Sequence, residues 1–351
     1  MTGKELEVNN LFDDEMLEEL KTLFQIKTLD NERRYWLIRA GKESCFFEEF
    51  YTRKFTGVNI PSSNDLTTLQ TITKDELKSY FEQEYPDENS GHLIGKLYNF
   101  IHEIKIGDII VMPSARREKI AFGIIEGNLY LDDSLILEES LNNSDDFGIP
   151  NKRRKVNWIK LVESTQLPSK LLLNLFSPHG LSAITDNETI ELINTNIDDF
   201  FIKNSTAYMT FDIKTEENIA LEDLTTYLNT TNEIINFTNS HFNSKDKVAL
   251  KINLNSPGAI NFFGPYELVL ASGIILALIG CNFEINAFEK IKLKVKSPGI
   301  LGYIKSFLEY HKEKNKQELE YKKALINLKI SEPEKMKELI KLLENEKNQK
   351  E

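Results

Sequence analysis

The sequence has few cysteines and no long apolar run, and each absence excludes a class of protein. Two cysteines, Cys45 and Cys281, occur among 351 residues, which excludes a disulfide-stapled scaffold. The most apolar run, residues 268–281, has 14 residues, whereas a membrane-spanning helix needs about 20. The first five residues lack the apolar segment of a secretory signal. We therefore expect a cytoplasmic protein with reduced thiols and no membrane partner.

The sequence also lacks an excess of positive charge. Its 43 Lys and Arg residues are outnumbered by 55 Asp and Glu residues, which gives a formal charge of −12. This balance excludes a protein that coats nucleic acid through charge alone. Apolar residues make up 40 % and charged residues 28 % of the chain. That composition is typical of a folded globular protein and not of a disordered one.

No motif for a cofactor or a metal is present. The chain contains no phosphate-binding glycine pattern of either common type, no Cys-x-x-Cys, no His-Glu-x-x-His and no Gly-x-Ser-x-Gly. Its five histidines are scattered, with no spacing that suits a metal ion. We therefore expect no cofactor, no metal and no catalytic residues, which favours a non-enzymatic protein.

One catalytic pattern has a partial match. Glu103-Ile-Lys105 fits the Glu-x-Lys half of a restriction-nuclease core, in which carboxylates and a lysine surround a metal ion. The match precedes Gly107-Asp108 in a predicted helix-to-strand turn, and no upstream aspartate on a strand completes it. A metal-dependent nuclease with an unlocated site stays as one alternative function.

Charge and composition predict four segments. Residues 1–32 contain 3 basic and 9 acidic groups, and apolar residues at helical spacing predict an acidic amphipathic helix there. Residues 33–186 form the first domain, residues 187–316 an α+β domain, and residues 317–351 a charged helical tail. In the first domain, alternation predicts strands at about 108–113, 119–126 and 154–162.

The α+β domain contains an internal repeat. Residues 250–258 and 291–299 align without gaps, and each is an alternating strand that ends in Ser-Pro-Gly. Serine suits a helix N-cap and proline the first helical position, so we expect a repeated strand-SPG-helix unit. The remaining helices of this part are predicted at 187–201, 220–242 and 265–280. The Lys/Glu-rich tail favours a solvated helix or one strand of a coiled coil.

Five sequence blocks carry a resemblance to a known family. They are Tyr35–Gly41, Cys45–Phe50, Phe100–Ser114, Ile120–Glu126 and Arg153–Ile159. In order and spacing they resemble the PUA-like/EVE-like domain of bacterial restriction and defence proteins, including the N-terminal region of some Mrr-type proteins. The resemblance covers approximately residues 33–186. The block that contains Lys105, Gly107 and Asp108 is its most specific part.

The resemblance implies an N-terminal PUA-like bent β-barrel with helices at its mouth. In such domains an aromatic cleft holds one base flipped out of a duplex, often a modified one, above a basic rim that contacts phosphates. The implied ligand-binding residues are Trp36, Arg39, Phe46, Phe47, Ser114 and Phe122. The implied phosphate-binding residues are Arg116, Arg117, Lys152, Arg153 and Arg154. Core packing for the aromatic residues, and solvated turn charges for Arg116 and Arg117, remain open alternatives.

The resemblance favours one function over two others. It implies a non-enzymatic reader in a prokaryotic antiviral or restriction-type defence system, with the barrel coupled to an assembly or signalling domain. Its expected partners are DNA with a modified base or a nucleotide-like ligand, and a second copy of the chain or a defence-system protein. The alternatives are an oligomerising structural protein without a nucleic-acid ligand, and the nuclease described above.

Overall fold

The structure is a computed structural model, and it describes residues 18, 21–22, 25–60, 62–84, 91–134, 148–175, 180–215, 217–242, 247–253, 258–280, 315–331, 333–334 and 337. The chain combines helices with mixed sheets, one of which curls into a half-barrel. This arrangement confirms the α+β class.

The strands and helices are numbered here in chain order. The strands are β1 (Lys27–Thr28), β2 (Tyr35–Ile38), β3 (Phe55–Val58), β4 (Ile109–Pro113), β5 (Lys119–Ile125), β6 (Tyr130–Leu131), β7 (Lys152–Glu163), β8 (Leu181–Ile184), β9 (Phe200–Lys203), β10 (Thr206–Ile213), β11 (Ala249–Asn253), β12 (Gly258–Pro265) and β13 (Ile330–Ser331). The helices are α1 (Phe47–Thr52), α2 (Leu66–Thr71), α3 (Lys74–Glu84), α4 (Gly91–Tyr98), α5 (Ser169–Asn174), α6 (Asn187–Ile197), α7 (Leu221–Phe242), α8 (Tyr266–Gly280) and α9 (Asn315–Leu328).

The chain divides into two compact units. One is Glu32–Ile197, and the other combines Met1–Asn31 with Asp198–Glu351. We call them the 32–197 unit and the composite unit. The 32–197 unit extends past the boundary expected at residue 186 and includes α6, because Ile193 of this helix packs into the core beside the sheet.

The 32–197 unit is built on one sheet of mixed direction. Its strand order is β3-β7-β5-β4-β2-β8, and β6 pairs with β7. β2 and β4 run parallel, whereas β4 and β5, and β5 and β7, run antiparallel. A β-bulge between Phe122 and Gly123 shifts the register of β5 on β7. Bulges bend and twist a strand, and this one lies where the two longest strands of the sheet pair.

Both faces of this sheet are covered, as the sequence of β2 requires. All four residues of β2 and all five of β4 are buried, which is typical of strands at the centre of a sheet. Because side chains alternate along a strand, Trp36 and Ile38 pack with helices α2, α3 and α4. Tyr35 and Leu37 pack on the opposite face with α5 and α6.

The composite unit is a second sheet packed with helices. Its strand order is β1-β9-β10-β12-β11, and β13 also pairs with β10. β1 pairs parallel with β9, so residues before the 32–197 unit join a sheet formed by residues after it. The apolar helix α8 is buried from Leu268 to Leu276 and packs with α7 and with β10. A helix that is apolar on all sides belongs in a core.

The structure corrects two expectations for this unit. The first Ser-Pro-Gly copy is followed by strand β12 and not by a helix, because the residues after Gly258 alternate in burial and pair with β10 and β11. The helix expected over 187–201 ends at Ile197, and Phe200–Lys203 forms β9. The second copy, 291–299, lies outside the described residues, as do the apolar residues of the expected leader helix.

Two other expectations concern helices. α9 confirms that the tail begins as a helix, and the residues after 337 lie outside the described part. Within the described residues, no helix combines the length and the apolar character that crossing a membrane requires, and α8 has 15 residues.

Candidate functional site

The four aromatic side chains implied for base binding lie in three different parts of the core. Trp36 packs with the helices on one face of the sheet, and Phe122 belongs to the cluster on the other face. Phe46 and Phe47 pack together around α1. None of the four is more than 4 % exposed. The structure therefore does not bring them together around a common recess, and core packing accounts for their positions.

Trp36 has a structural partner that explains the most specific block of the sequence. Its indole N–H donates to the Oδ2 atom of Asp108 across 2.9 Å, and the backbone N–H of Lys105 donates to the same oxygen across 2.9 Å. The backbone N–H of Arg34 donates to Oδ1 at 3.3 Å. Between them, Gly107 takes a φ of +94°, which favours glycine. Lys105, Gly107 and Asp108 thus form a closed turn that starts β4.

Arg153 lies inside the protein and not at a basic rim. Its guanidinium donates to the carbonyl of Pro150, to Asp132 Oδ2 and to the carbonyl of Ser134, each across 2.8 Å. The guanidinium also lies 4.4 Å from the centre of the Phe55 ring. The side chain is fully buried, and these contacts occupy it.

Lys152 is buried as well, because of its position in the sheet. This part of β7 pairs with β3 on one side and with β6 on the other, so it is a central and not an edge segment. The Lys152 Nζ atom donates to Asn151 Oδ1 across 3.1 Å, and burial lowers the pKa of the ammonium to about 8. Contrary to expectation, neither Lys152 nor Arg153 is placed where a phosphate could reach it.

Arg154 is the third of these consecutive basic residues and is also buried. Its Nε donates to the carbonyl of Phe100 at 3.0 Å and its Nη2 to the carbonyl of Ile101 at 2.8 Å. Burial lowers its pKa to about 10, which leaves the guanidinium charged at neutral pH. Arg154 also lines a pocket.

The remaining implied residues do come together, at one edge of the sheet. β2 and β4 are neighbours and run parallel, so both end at the same edge. Arg39 directly follows β2, and Ser114 directly follows β4. The turn Lys42–Ser44 packs against the turn Ala115–Arg117. We call the group of Arg39, Lys42, Ser114, Arg116 and Arg117 the basic edge.

Local backbone geometry holds the basic edge in place. Arg116 and Arg117 have φ values of 52° and 60°, in the left-handed region that residues other than glycine seldom adopt. The Ser114 hydroxyl accepts the backbone N–H of Lys119 across 2.9 Å and closes this turn. The Arg39 backbone N–H donates to the carbonyl of Gly180 at 2.8 Å. Hydrogen bonds from three chain segments therefore fix the edge.

The basic edge concentrates positive charge in an acidic chain. Residues 39–44 and 114–118 contain four basic and two acidic side chains. Burial lowers the pKa of the Arg39 guanidinium, and the positive charge of Arg117 lowers it further. Arg116 is exposed, and Arg39 and Arg117 are half-buried. An anion at this edge would offset the repulsion between the two guanidinium groups.

The nuclease pattern takes a different form in the structure. Glu103 Oε2 accepts from Arg34 Nη1 across 2.6 Å, and Lys105 Nζ donates to the carbonyl of His102 across 2.6 Å. Each side chain of the Glu-x-Lys pair is thus engaged with a neighbour. In the described part of the chain, no group of three His, Cys, Asp or Glu side chains is arranged to hold a metal ion.

Most residues that line the pocket beside Arg154 were not predicted from the sequence as site residues. Its polar lining also includes Gln70, His102, Lys105 and Asn128. These residues come from separate segments of the chain, so no local spacing marks them as a group. Only the pairing of β7 with its neighbours and the packing of α2 bring them together.

One known family matches part of the chain. The model of a family described as "Domain of unknown function (DUF8426)" matches residues 36–174. The match begins within β2, ends at the last residue of α5, and contains both the basic edge and the pocket. No curated protein matches this chain.

Proposed function

We propose that the 32–197 unit binds the phosphates of nucleic acid at the basic edge. In this proposal the chain is a non-enzymatic reader in a prokaryotic antiviral or restriction-type defence system, and the composite unit couples binding to assembly or signalling. The reader role and the defence setting rest on the resemblance of residues 33–186 to PUA-like/EVE-like domains. The observation that carries phosphate binding is the packing of the two arginine-bearing turns at the shared end of β2 and β4.

The site suits a phosphodiester chemically. Arginine presents a planar set of donors that matches phosphate oxygens, and ligands often bind beyond the carboxyl ends of parallel strands. The net charge of −12 does not oppose local binding, because charges more than about 10 Å away are screened at 0.1 M salt. The four aromatic side chains implied for base binding are buried. Their burial favours contact with the sugar-phosphate backbone of the nucleic acid over capture of a base in a cleft lined by Trp36.

Fluorescence anisotropy with labelled DNA duplexes tests the proposal. Plain, methylated and hydroxymethylated duplexes are titrated with wild-type protein and with the double variant Arg116→Gln/Arg117→Gln at several salt concentrations. We expect wild-type binding at low salt. We expect the slope of log K against log salt to be smaller by about 2 in the variant, because each lost phosphate contact removes roughly one counterion.

A charge-matched variant serves as the control. Lys54→Gln/Lys155→Gln removes the same charge from exposed residues at the opposite end of the sheet, beside the pairing of Ile125 with Val156. This variant should keep the wild-type slope. An equal loss in both double variants, or no wild-type binding to any duplex at low salt, would overturn the proposal.

A further inference from the structure

Tyr51 of α1 and Trp158 of β7 form a pair of half-buried aromatic side chains. Their ring centroids lie 6.0 Å apart, with an angle of 34° between the ring planes. Both side chains pack against the cluster that contains Phe46 and Phe47. The four aromatic side chains implied for base binding are at most 4 % exposed, whereas Tyr51 and Trp158 each keep part of their surface accessible. We call these two residues the aromatic pair.

The β-bulge in β5 explains the direction in which Trp158 points. Ala121 pairs with Leu161 and Gly123 pairs with Trp158, so three steps along β7 correspond to two steps along β5. Residues two steps apart on a strand share a face, and the bulge therefore puts Trp158 and Leu161 on one face despite their odd separation. Leu161 is 38 % exposed. Accessible apolar surface thus continues from Trp158 along β7.

Two contacts hold the indole of Trp158 in place. A Cβ atom on Gly123 would lie 2.7 Å from Trp158 Cε3, so the absence of a side chain at Gly123 leaves the room that the indole occupies. The indole N–H donates to the carbonyl of Phe50 across 3.0 Å. The ring is therefore fixed by the protein itself, and a ligand that contacts it does not need to order it.

The aromatic pair follows the basic edge along the chain. The Lys42–Ser44 turn of the basic edge is followed, after two residues, by α1, the helix that carries Tyr51. Cys45, directly after that turn, and Tyr51 pack against the same cluster, which includes Met112 near the end of β4. One group of packed side chains therefore connects the basic edge with the aromatic pair.

Strand geometry gives the separation between the two features. The Ser114 hydroxyl of the basic edge accepts the N–H of Lys119 at the start of β5. Trp158 pairs with Gly123, which lies four residues further along β5. At about 3.3 Å per residue, these two positions are roughly 13 Å apart. One nucleic-acid strand advances by about 3.4 Å per nucleotide, so about four nucleotides span this distance.

Aromatic and basic groups at this separation match the two parts of a single nucleic-acid strand. Every nucleobase has a flat face that stacks on aromatic side chains, and proteins that bind single strands combine such stacking with a basic surface that contacts phosphates. In a duplex the bases stack on one another and are not free to leave without a cost. The aromatic pair therefore favours a strand with unpaired bases.

From this arrangement we propose that the 32–197 unit binds single-stranded nucleic acid, with an unpaired base stacked on Tyr51 and Trp158 and phosphates of the same strand at the basic edge. The inference rests on the proposed function, because the basic edge supplies the phosphate contacts, and it adds the class of nucleic acid. Stacking does not read the identity of a base, so binding should tolerate changes of sequence.

Fluorescence anisotropy with the full wild-type chain tests the role of the base. The probes are a labelled oligothymidine of about ten nucleotides, which falls within the usual site sizes, and a strand of the same length built from abasic nucleotides. Both strands carry the same phosphates. We expect the abasic strand to bind at least about fivefold more weakly, because one stacked base contributes at least this factor. Equal affinities, or no binding of either strand at low salt, would overturn the proposal.

Variants of Tyr51 test the aromatic pair itself. Tyr51→Leu removes the ring, and we expect the affinity for oligothymidine to fall about fivefold or more while the salt slope and the affinity for a duplex stay unchanged. Tyr51→Phe keeps the ring and should bind as wild type does. Tyr98→Leu makes the matched change at a half-buried tyrosine of α4 whose ring contacts His102, and it should have no effect. An equal loss in Tyr51→Leu and Tyr98→Leu would contradict stacking on the pair.

Intrinsic fluorescence supplies a readout that a purely structural role of Trp158 would not move. The chain has two tryptophans, and Trp36 is buried in the core. A base stacked on an indole quenches its emission, so we expect oligothymidine to reduce the emission of wild type. In Trp158→Phe the remaining emission comes from Trp36 and should not respond. An unchanged wild-type emission at saturation, or an equal change in the variant, would overturn the proposal.

The basic-edge variant separates this inference from the proposed function. Arg116→Gln/Arg117→Gln should lower the salt slope yet keep the preference for oligothymidine over the abasic strand. If this variant loses slope while Tyr51→Leu binds as wild type does, phosphate binding is supported and stacking is overturned. The reverse result overturns phosphate binding at the basic edge. Light scattering tests the other occupant: self-association that Tyr51→Leu abolishes, without an effect on strand binding, would assign the pair to a contact between copies and overturn the proposal.

Discussion

Trp36 and Asp108 are joined by a hydrogen bond of 2.9 Å between the indole N–H and a carboxylate oxygen, and both side chains are at most 4 % exposed. The bond links the parallel neighbours β2 and β4 at the point where the chain enters β4. The tryptophan that the family resemblance assigns to a ligand is therefore a structural element of the core. It helps to hold the turn beside which the pocket lined by Arg154 opens.

Replacement of Asp108 by alanine should strongly destabilise the protein. The buried indole N–H of Trp36 and the half-buried backbone N–H groups of Lys105 and Arg34 lose their acceptor. We expect the free energy of unfolding to fall by about 2–4 kcal/mol, because each buried donor left without a partner is costly. Urea denaturation measures it. Asp133→Ala, at an exposed position, should change stability by less than about 0.5 kcal/mol.

Replacement of Arg153 by methionine should affect stability and leave nucleic-acid affinity unchanged. The substitution removes the Arg153 donor to the Pro150 carbonyl, one of the two arginine donors to the Ser134 carbonyl, the nearest cation of Asp132, and the contact with the Phe55 ring. We expect a loss of about 2–3 kcal/mol, because charge-assisted hydrogen bonds inside the protein are lost. The salt dependence of DNA binding, measured on the folded variant, should match that of the wild-type protein. A reduced slope would instead indicate that Arg153 contacts phosphate.

Stability should rise with pH above the folded-state pKa of Lys152. Burial lowers this pKa from 10.5 to about 8, so the unfolded chain holds the proton more tightly between these values. The unfolded state then binds more protons, and the free energy of unfolding increases with pH in this range. From pH 8 to pH 9.5 the contribution is about 2 kcal/mol.

The variant Lys152→Met isolates this contribution from other groups that titrate in the same range. Denaturation midpoints of both proteins are measured at pH 7, 8 and 9.5. Wild type should gain stability relative to the variant as the pH rises, and the variant should be the more stable protein at pH 7, since burial of a charge is costly. Parallel pH profiles for the two proteins would contradict the assignment.

Two glycine-to-alanine substitutions should change stability in opposite directions. A Cβ atom on Gly123, at the β-bulge, would lie 2.5 Å from Val156 Cγ1 and 2.7 Å from Trp158 Cε3. We expect Gly123→Ala to cost about 1–3 kcal/mol through overpacking. A Cβ on Gly95, inside α4, meets nothing within 4 Å. Gly95→Ala should therefore stabilise by about 0.5–1 kcal/mol through helix propensity. Thermal unfolding of the pair measures both effects.

Secondary structure was most predictable where the pattern was long and regular. The expected strands near 108–113 and 119–126 and the expected helices at 220–242 and 265–280 agree with β4, β5, α7 and α8 within a residue or two. The helix expected over 187–201 overlaps Phe200 and Phe201, the first two residues of the strand β9, because a short apolar run fits either period. The pairing of β9 with β1 and β10 decides in favour of a strand.

The candidate sites were less predictable, because exposure depends on pairing far along the chain. Lys152, Arg153 and Arg154 form the densest basic run and suggest a surface, yet β3 and β6 flank them and bury all three. Arg39 and Arg117 are far apart in sequence and are brought together only because β2 and β4 end at one edge. The pocket lined by Arg154 draws on four separate segments, and no spacing pattern marks it.

The sequence by itself determined the α+β class and the regular elements with clear periodicity, because periodicity and turn residues act over a few neighbouring positions. Only the tertiary structure decided which charged and aromatic side chains meet a ligand. Residues with the same local pattern become core or surface according to the strands and helices that pack against them, and those contacts come from distant parts of the chain. Arg116 and Arg153 show the difference: one is exposed on a turn, and the other is fully buried in a sheet.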